Sequence, residues 1–425
     1  MASFSIPLTG LNADSTALNT IANNLANMNT TSFKSESTSF SDLFYQQIGN
    51  AGSGDPIQVG AGVQVAANET DFSQGSISST GTATDVALNG NGFFVVADGM
   101  GAYDYSRAGD FTLTSTGQLV TTDGLNVMGY PATNGIVNTN APLAAINIPV
   151  GQVQQPQATS SLNLTANLDA TATAGTTFPG QVTVYDSLGV PHIATITFTE
   201  TAANTWNYSA ALPSADFASG LSTPITGSLA FDSSGNLAST TSGGVTTPVG
   251  TAAGDTGAIP LMFTGLADGA TDLHMNWNLL DAGGSPTLSQ VNASSAVSAT
   301  TQNGFAPGQY ESFTIGSDGT VTVTYSNGQK ENVAQLALAN VTNEQGLQKL
   351  GNGDYATTLA SGTASVSTSG SAGLGAMQDG ALEGSNVNIS AEFSDLIIAQ
   401  RAFEANSKAV TTFDTVTQET INMIH

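Results

Sequence analysis

Three histidines, His192, His274 and His425, are the chain's only imidazoles, and no two of them stand at the spacing of a metal-binding pair. We read the first two as ordinary strand or loop residues of a β-rich insert, because a ligand needs a structural context that their spacing does not supply. There is no cysteine, which removes disulfides and thiolate metal sites. Neither a GxxxxGK phosphate loop nor a GxSxG nucleophile elbow occurs. The acidic turns "FDSSGNL", "TTDGLN" and "GSDGTV" lack the alternating oxygen ligands and distal glutamate of a calcium loop. Hairpin turns built on Asp-Gly and Gly-Asn account for them. The sequence therefore predicts no enzyme, no cofactor and no metal.

Charge narrows the partners. The 32 acidic and 6 basic residues give a formal net charge of −26. The bases are Lys34, Arg107, Lys330, Lys349, Arg401 and Lys408, so positions 108 to 329 hold none. Nucleic-acid binding needs a basic track to displace counterions, and none exists here. An anionic membrane is disfavoured for the same reason. No apolar run approaches the ~20 residues of a membrane-spanning helix, so no membrane insertion is expected. The opening "MASFSIPLTG" has no basic n-region, apolar h-region or small-residue cleavage site, and is not read as a cleaved signal peptide. Charged residues make up only 9%, against ~25% in ordinary globular chains. Gly, Ala, Ser, Thr and Asn replace them, a texture suited to β-structure with tight turns or to surfaces buried in an assembly.

The strongest apolar periodicities sit at the two ends. A helix is predicted from about Pro7 to Asn29, with Leu11, Leu18 and Leu25 in one heptad row and Ile21 and Met28 three residues beyond the last two. Asn19, Asn23, Asn24 and Asn27 lie inside it; asparagine is a poor helix former, so this helix needs a partner. At the other end a helix of about 35 residues is predicted, with Ile389, Leu396, Phe403, Val410 and Ile424 in one row, Thr417 as the exception, and Phe393, Phe413 and Ile421 beside it. Its start is placed at Ser390 to Glu392. An apolar stripe ordinarily faces a local core, so docking of each helix on its own β-domain competes with pairing between neighbouring copies.

Between the helices the pattern is β. "VALNGNGFFVV" sets Asn-Gly pairs among β-formers, and Asp123-Gly124, Asp318-Gly319 and Asn327-Gly328 mark further turns. In "HIATITF", Ala194, Ile196 and Phe198 share one face of a half-buried strand. Trp206 and Trp277 are expected in or near the core of the same block. The expected fold is α+β, mostly β. Residues 1–30 and 385–425 form a coiled-coil-like helical core domain, and 31–70 an irregular connector. Residues 71–150 and 303–384 form a β-rich middle domain, and 151–302 an inserted barrel- or sandwich-like outer β-domain.

Three separated motifs carry a resemblance. "LNTIANNLANMNTTSFK" resembles the N-terminal signature of the bacterial flagellar rod and hook axial proteins, on Asn23, Asn24, Asn27, Phe33 and Lys34. "DVALNGNGFFVV" with "YSRAGDFTLTSTGQLVTTDGLNVMGY" is similar to that family's shared β-domain. "GALEGSNVNISAEFSDLIIAQRAFEANSKAVTTFD" is similar to its C-terminal helix. The large insert with "VTVYDSLGVPH", and the later "GLQKLGNGDYA", resemble the hook branch rather than the shorter rod branch, with a distal rod protein as the alternative within the family. Ser32 departs from the family, which often has glycine there.

The resemblance implies a structural subunit exported by the flagellar type III apparatus with an uncleaved signal. Copies would stack into a tubular helical polymer outside the cell, a flexible joint passing torque from rod to filament. Its partners would be itself, the distal rod, the hook cap and the hook-filament junction proteins. The self-assembly seam would be Leu11, Leu18, Ile21, Leu25, Met28, Ile389, Phe393, Leu396, Phe403, Val410, Phe413 and Ile424. Outside the family, a secreted acidic β-rich surface or adhesin protein shares the texture but has no need of paired terminal heptads.

Overall fold

The computed structural model describes residues 5–52, 56–99, 101–250 and 257–423. Ile424 and His425 therefore lie outside the described residues. The architecture is α+β and mostly β, with one long helix at each end. The chain divides into two compact units. One comprises Met1–Val150, Ser312–Thr324 and Lys330–His425; the other comprises Gly151–Glu311 with Tyr325–Gln329.

In the first unit the helices are α1, Ser5–Ala26, and α2, Ile389–Met423. α1 stops before Asn29 because the Asn27 amide donates to the carbonyls of both Asn23 and Asn24, at 3.1 and 3.2 Å, and the turn frays. α2 is capped at Asn388, two residues before the expected start at Ser390. Asn388 Oδ1 accepts from the amides of Ser390 and Ala391 at 3.1 and 3.3 Å. No helix among the described residues is long and apolar enough to cross a membrane.

The segment after α1 corrects the expectation of an irregular connector over 31–70. Glu36–Asp42 pairs antiparallel with Val63–Thr70, and Tyr45–Asn50 pairs with Pro56–Gly60. The alternation was illegible because both faces of this ribbon carry Ser, Thr, Gln and Asn among scattered apolar residues, so no two-residue hydrophobic period marks a core face. The "FSDLFYQQI" stretch belongs to the ribbon. Its Phe44 is 90% exposed.

The β-body of this unit is built from both flanks of the insert. Asn126–Thr133 pairs with Phe93–Ala97 on one side and with Lys330–Leu336 on the other. Val86–Asn89 pairs with Ala376–Asp379, and Ile77–Ser79 with Ala381–Glu383. The turns at Gly117, Gly124 and Gly328 adopt the positive φ that hairpins of this kind require. Phe93, Val95, Met128, Tyr130, Ala339 and Tyr355 fill the core. Phe72 meets the Phe93 ring edge-on at 5.9 Å.

The second unit is a sandwich. One sheet is an antiparallel meander of six strands, Thr177–Tyr185, Pro191–Ala202, Thr205–Ala211, Ile225–Phe231, Leu237–Ser242 and Val245–Pro248. The other centres on Ser161–Asp169, which runs parallel to Leu273–Asn278 and Leu288–Val291 and antiparallel to Ala296–Gln302. Ala194, Ile196 and Phe198 face the core as their alternation requires. Trp206 and Trp277 are both fully buried, and Trp277 takes Phe198 and Tyr208 edge-on at 6.0 and 5.4 Å. The unit runs past residue 302 because the returning chain pairs with its own exit: Gln157 bridges Phe305, and Val153 pairs with Gln309.

Candidate functional site

The first site is the face between the terminal helices. α1 and α2 run antiparallel. Asn24 Nδ2 donates to Glu392 Oε1 at 2.8 Å near one end, and Asn406 Nδ2 donates to Asp14 Oδ2 at 2.8 Å near the other. The residues buried along the two helices are mostly small. On α1 the buried residues are Pro7, Gly10, Ala13, Thr20 and Asn24; on α2 the buried residue is Ala399. A β-carbon on Gly10 would stand 2.7 Å from Asn406 Nδ2, so the missing side chain is what permits the approach.

Among the described residues, none of the heptad-row residues is fully buried. Leu11, Leu18, Ile21 and Leu25 are half-buried and Met28 is exposed. On α2, Ile389, Phe393 and Phe403 are exposed, the last two by 52% and 39%, while Leu396, Val410 and Phe413 are half-buried. Ile397, Ile398 and Val416, which the heptad reading passed over, are exposed as well. α2 thus leaves Ile389, Phe393, Ile397, Ile398, Phe403 and Val416 exposed.

The signature residues have separate tasks. Asn24 is 1% exposed and fully engaged: besides Glu392, its amide exchanges hydrogen bonds with the backbone of Glu36, donating at 2.8 Å and accepting at 3.0 Å. It joins α1, α2 and the ribbon in one side chain, which offsets its poor helix propensity. Asn27 Nδ2 donates to the Asn23 carbonyl at 3.0 Å and so closes the helix end. Asn23, Asn27, Phe33 and Lys34 line one cavity with Lys349 and Tyr355. Ser32 sits at φ 54°, the left-handed backbone that explains a glycine preference at this point, and its amide donates to the Glu383 carbonyl at 2.8 Å.

Lys34 belongs to a buried ionic knot whose members lie far apart along the chain. Its Nζ donates to Glu383 Oε1 at 2.7 Å and to the Ser73 carbonyl at 2.8 Å. Arg107 Nε donates to Glu383 Oε2 at 2.8 Å, and its other nitrogens donate to the carbonyls of Gly92 and Gly90, both at 2.6 Å. The Gly75 amide adds a third donor to the carboxylate at 2.8 Å. Burial pulls the Lys34 ammonium below its usual range against the opposing pull of Glu383. Burial opposes the charge of Glu383 too, but Arg107 and the bonds from both cations hold that carboxyl below its ordinary value. Two of the six bases thus meet on one carboxylate. The only legible sign was that both stand in stretches similar to family motifs. Asn386 reinforces the same junction, accepting from the Ser35 amide and donating to the Asp71 carbonyl, each at 2.8 Å.

In the same unit the buried Asp354 carboxyl meets the exposed Asp123. Burial, with the charge of Asp123 alongside, pushes Asp354 up to about 7, while Asp123, bonded by Thr121 against the effect of its own burial, stays below its usual range. An acid raised in the folded state contributes most while protonated. That contribution is full below its ordinary value of 3.8 and is lost as pH rises through about 7. Asp354→Asn should therefore be more stable than the parent at pH 8 and nearly equal to it at pH 4 in urea titrations. A variant weaker than the parent at pH 8 would show that the charged form is the one the fold requires.

In the sandwich, His192 gathers carboxylates that its sequence neighbours did not announce. It is 5% exposed and takes the first inward position of the Pro191–Ala202 strand, in step with Ala194 and Ile196. Nδ1 lies 2.9 Å from Asp216 Oδ2, and Nε2 lies 3.2 Å from Asp186 Oδ2 and 3.8 Å from Asp268 Oδ2. Burial alone would lower its pKa; the bonds and charges of Asp216 and Asp186 more than offset that and hold it above 6.5. Spacing among histidines could not reveal this cluster, because its other members are aspartates from three different loops. The alternation that turns His192 inward was the one available signal.

Comparison with known proteins agrees with this layout along the chain. Family profiles match in order: flagella basal body rod protein at residues 6–34, flagellar hook protein FlgE/F/G D1 domain at 87–167, flagellar basal body protein FlaE D2 domain at 155–305, and flagellar basal body rod FlgEFG protein C-terminal at 378–423. The flagellar hook protein FlgE of Salmonella typhimurium is 35% identical over 99% of this chain and 100% of its own length. That of Escherichia coli is 34% identical over 99% of each, and that of Treponema pallidum 33% over 98% of each. The crystal structure of Helicobacter pylori flagellar hook protein FlgE2 shares the fold, with a TM-score of 0.54 at 14% identity, covering 71% of this chain and 99% of that one. Paired terminal helices, a β-body built from both flanks and an inserted sandwich accompany similarity over essentially the whole length, and the chain belongs to the flagellar hook protein FlgE family.

Proposed function

We propose that the chain is a structural subunit of the flagellar hook that polymerises into a tube through its terminal helices and serves as a flexible joint passing torque from rod to filament. The family is one of structural proteins, and its membership supports a homopolymer at the hook and basal body. The observation that carries the reading is the mismatch between the two faces of α2. Its one buried residue is the small Ala399, while Ile389, Phe393, Ile397, Ile398 and Phe403 are exposed. Apolar surface of that extent on one helix is explained by burial against neighbouring copies. The ribbon adds Phe40, Phe44, Tyr45 and Ile57, all exposed. A net charge of −26 keeps subunits apart until such contacts form.

On this reading the seam is Leu11, Leu18, Ile21, Leu25 and Met28 of α1 with Ile389, Phe393, Leu396, Phe403, Val410, Phe413 and Ile424 of the C-terminal segment. The helices line the tube. The subunit leaves the cell through the flagellar type III export apparatus without a cleaved signal. Outside the cell it meets the distal rod, the hook cap and the hook-filament junction proteins. Electron microscopy of purified protein over a concentration series tests the polymer directly. Tubes of uniform diameter should appear above a sharp threshold; a protein that stays monomeric or forms only amorphous clumps at every concentration overturns the reading.

A further inference from the structure

The geometry points to a zinc-type divalent-cation site in the inserted sandwich, with Asp186, Asp268 and His192 Nε2 as its donors and Asp216 as the residue that orients the imidazole. One donor atom from each of Asp186, His192 and Asp268 lies within 4.8 Å of the others. Ligand bonds of about 2.0–2.2 Å in a tetrahedral set place donors roughly 3.3–3.5 Å apart. The observed 3.2 and 3.8 Å from Nε2 to the two carboxylates bracket that separation.

The surroundings are those of a built site. Asp216 takes Nδ1, which leaves Nε2 as the ligand nitrogen, the arrangement in which an outer carboxylate fixes a metal-bound histidine. Asp186 is fully buried, and its Oδ1 is held by the amides of Leu188 and Val190 at 2.8 and 2.9 Å, so that Oδ2 is aimed at the imidazole. The segments carrying Asp216 and Asp268 are tied to each other. The Ala267 amide donates to the Asp216 carbonyl at 2.9 Å, and Phe217 bridges Leu266. Three carboxylates converge on one imidazole, an excess of negative charge that a dication neutralises. The mixed nitrogen and oxygen set favours zinc over calcium or magnesium, which seek six or more oxygens. Asp268 is exposed and gives access from solvent.

The test uses the full-length chain stripped with a chelator and titrated with zinc chloride in a calorimeter. One saturable site is expected, with a rise of a few degrees in melting temperature at a hundredfold excess over Kd. Asp268→Asn should weaken zinc at least tenfold yet melt like the parent without metal, and His274→Ala should bind zinc like the parent. Cobalt(II) added to the unmutated chain gives a readout independent of any variant: the visible absorption bands of a four-coordinate site. Absence of saturable zinc binding, absence of those bands, or unchanged affinity in Asp268→Asn overturns the proposal and leaves His192 as a bridge between Asp186 and Asp216 alone.

Discussion

Phe403→Asp should abolish tube formation while leaving the melting of the β-body unchanged. Phe403 is 39% exposed in the chain. A charge there meets solvent in the monomer and costs little. In a polymer whose helices pack by their apolar surfaces, the same charge is buried without a partner. That costs several kcal/mol, and helical symmetry repeats the loss at every subunit. Glu404→Ala, one residue along and exposed, should polymerise as the parent does. Light scattering and microscopy read the first effect, and circular dichroism melting the second. A substantial fall in β-body melting would mean that the helix docks on its own core. Tubes of normal diameter from Phe403→Asp would mean that another surface holds the polymer.

Glu383→Ala should destabilise the unit that contains the terminal helices by about 3–5 kcal/mol, the usual cost of leaving one side of a buried ion pair uncompensated. Its removal strands Lys34 and Arg107 together, both buried. It also leaves the Gly75 amide without its acceptor. Glu383→Gln keeps acceptor and shape but loses the charge, and should fall between parent and alanine variant. Denaturant unfolding followed by far-ultraviolet circular dichroism measures both. A loss below about 1 kcal/mol for Glu383→Ala would mean that water reaches the two cations and that the knot is not closed, since exposed pairs contribute only that much.

Much of the architecture was legible. The two terminal helices announced themselves through heptad spacing, the sandwich strand through the alternation of Ala194, Ile196 and Phe198, and the hairpins through Asp-Gly and Asn-Gly. Each of these signals is local: a helix or strand displays its period to its own neighbours in sequence, so the pattern survives without knowledge of the partner.

What only the tertiary structure decided is which residues are brought together across the chain. The ribbon at 36–70 shows no hydrophobic period, so its pairing appears only when one strand is laid against the other. The helix contact selects Gly10, Ala13 and Asn24 in place of the leucine row, because close approach favours missing side chains and buried amides need partners. Lys34 finds Glu383 across 349 positions of sequence, and His192 finds Asp216 and Asp268 across loops. Their hydrogen bonds and charges act through space. No spacing along the chain encodes that distance, and only the folded backbone sets it.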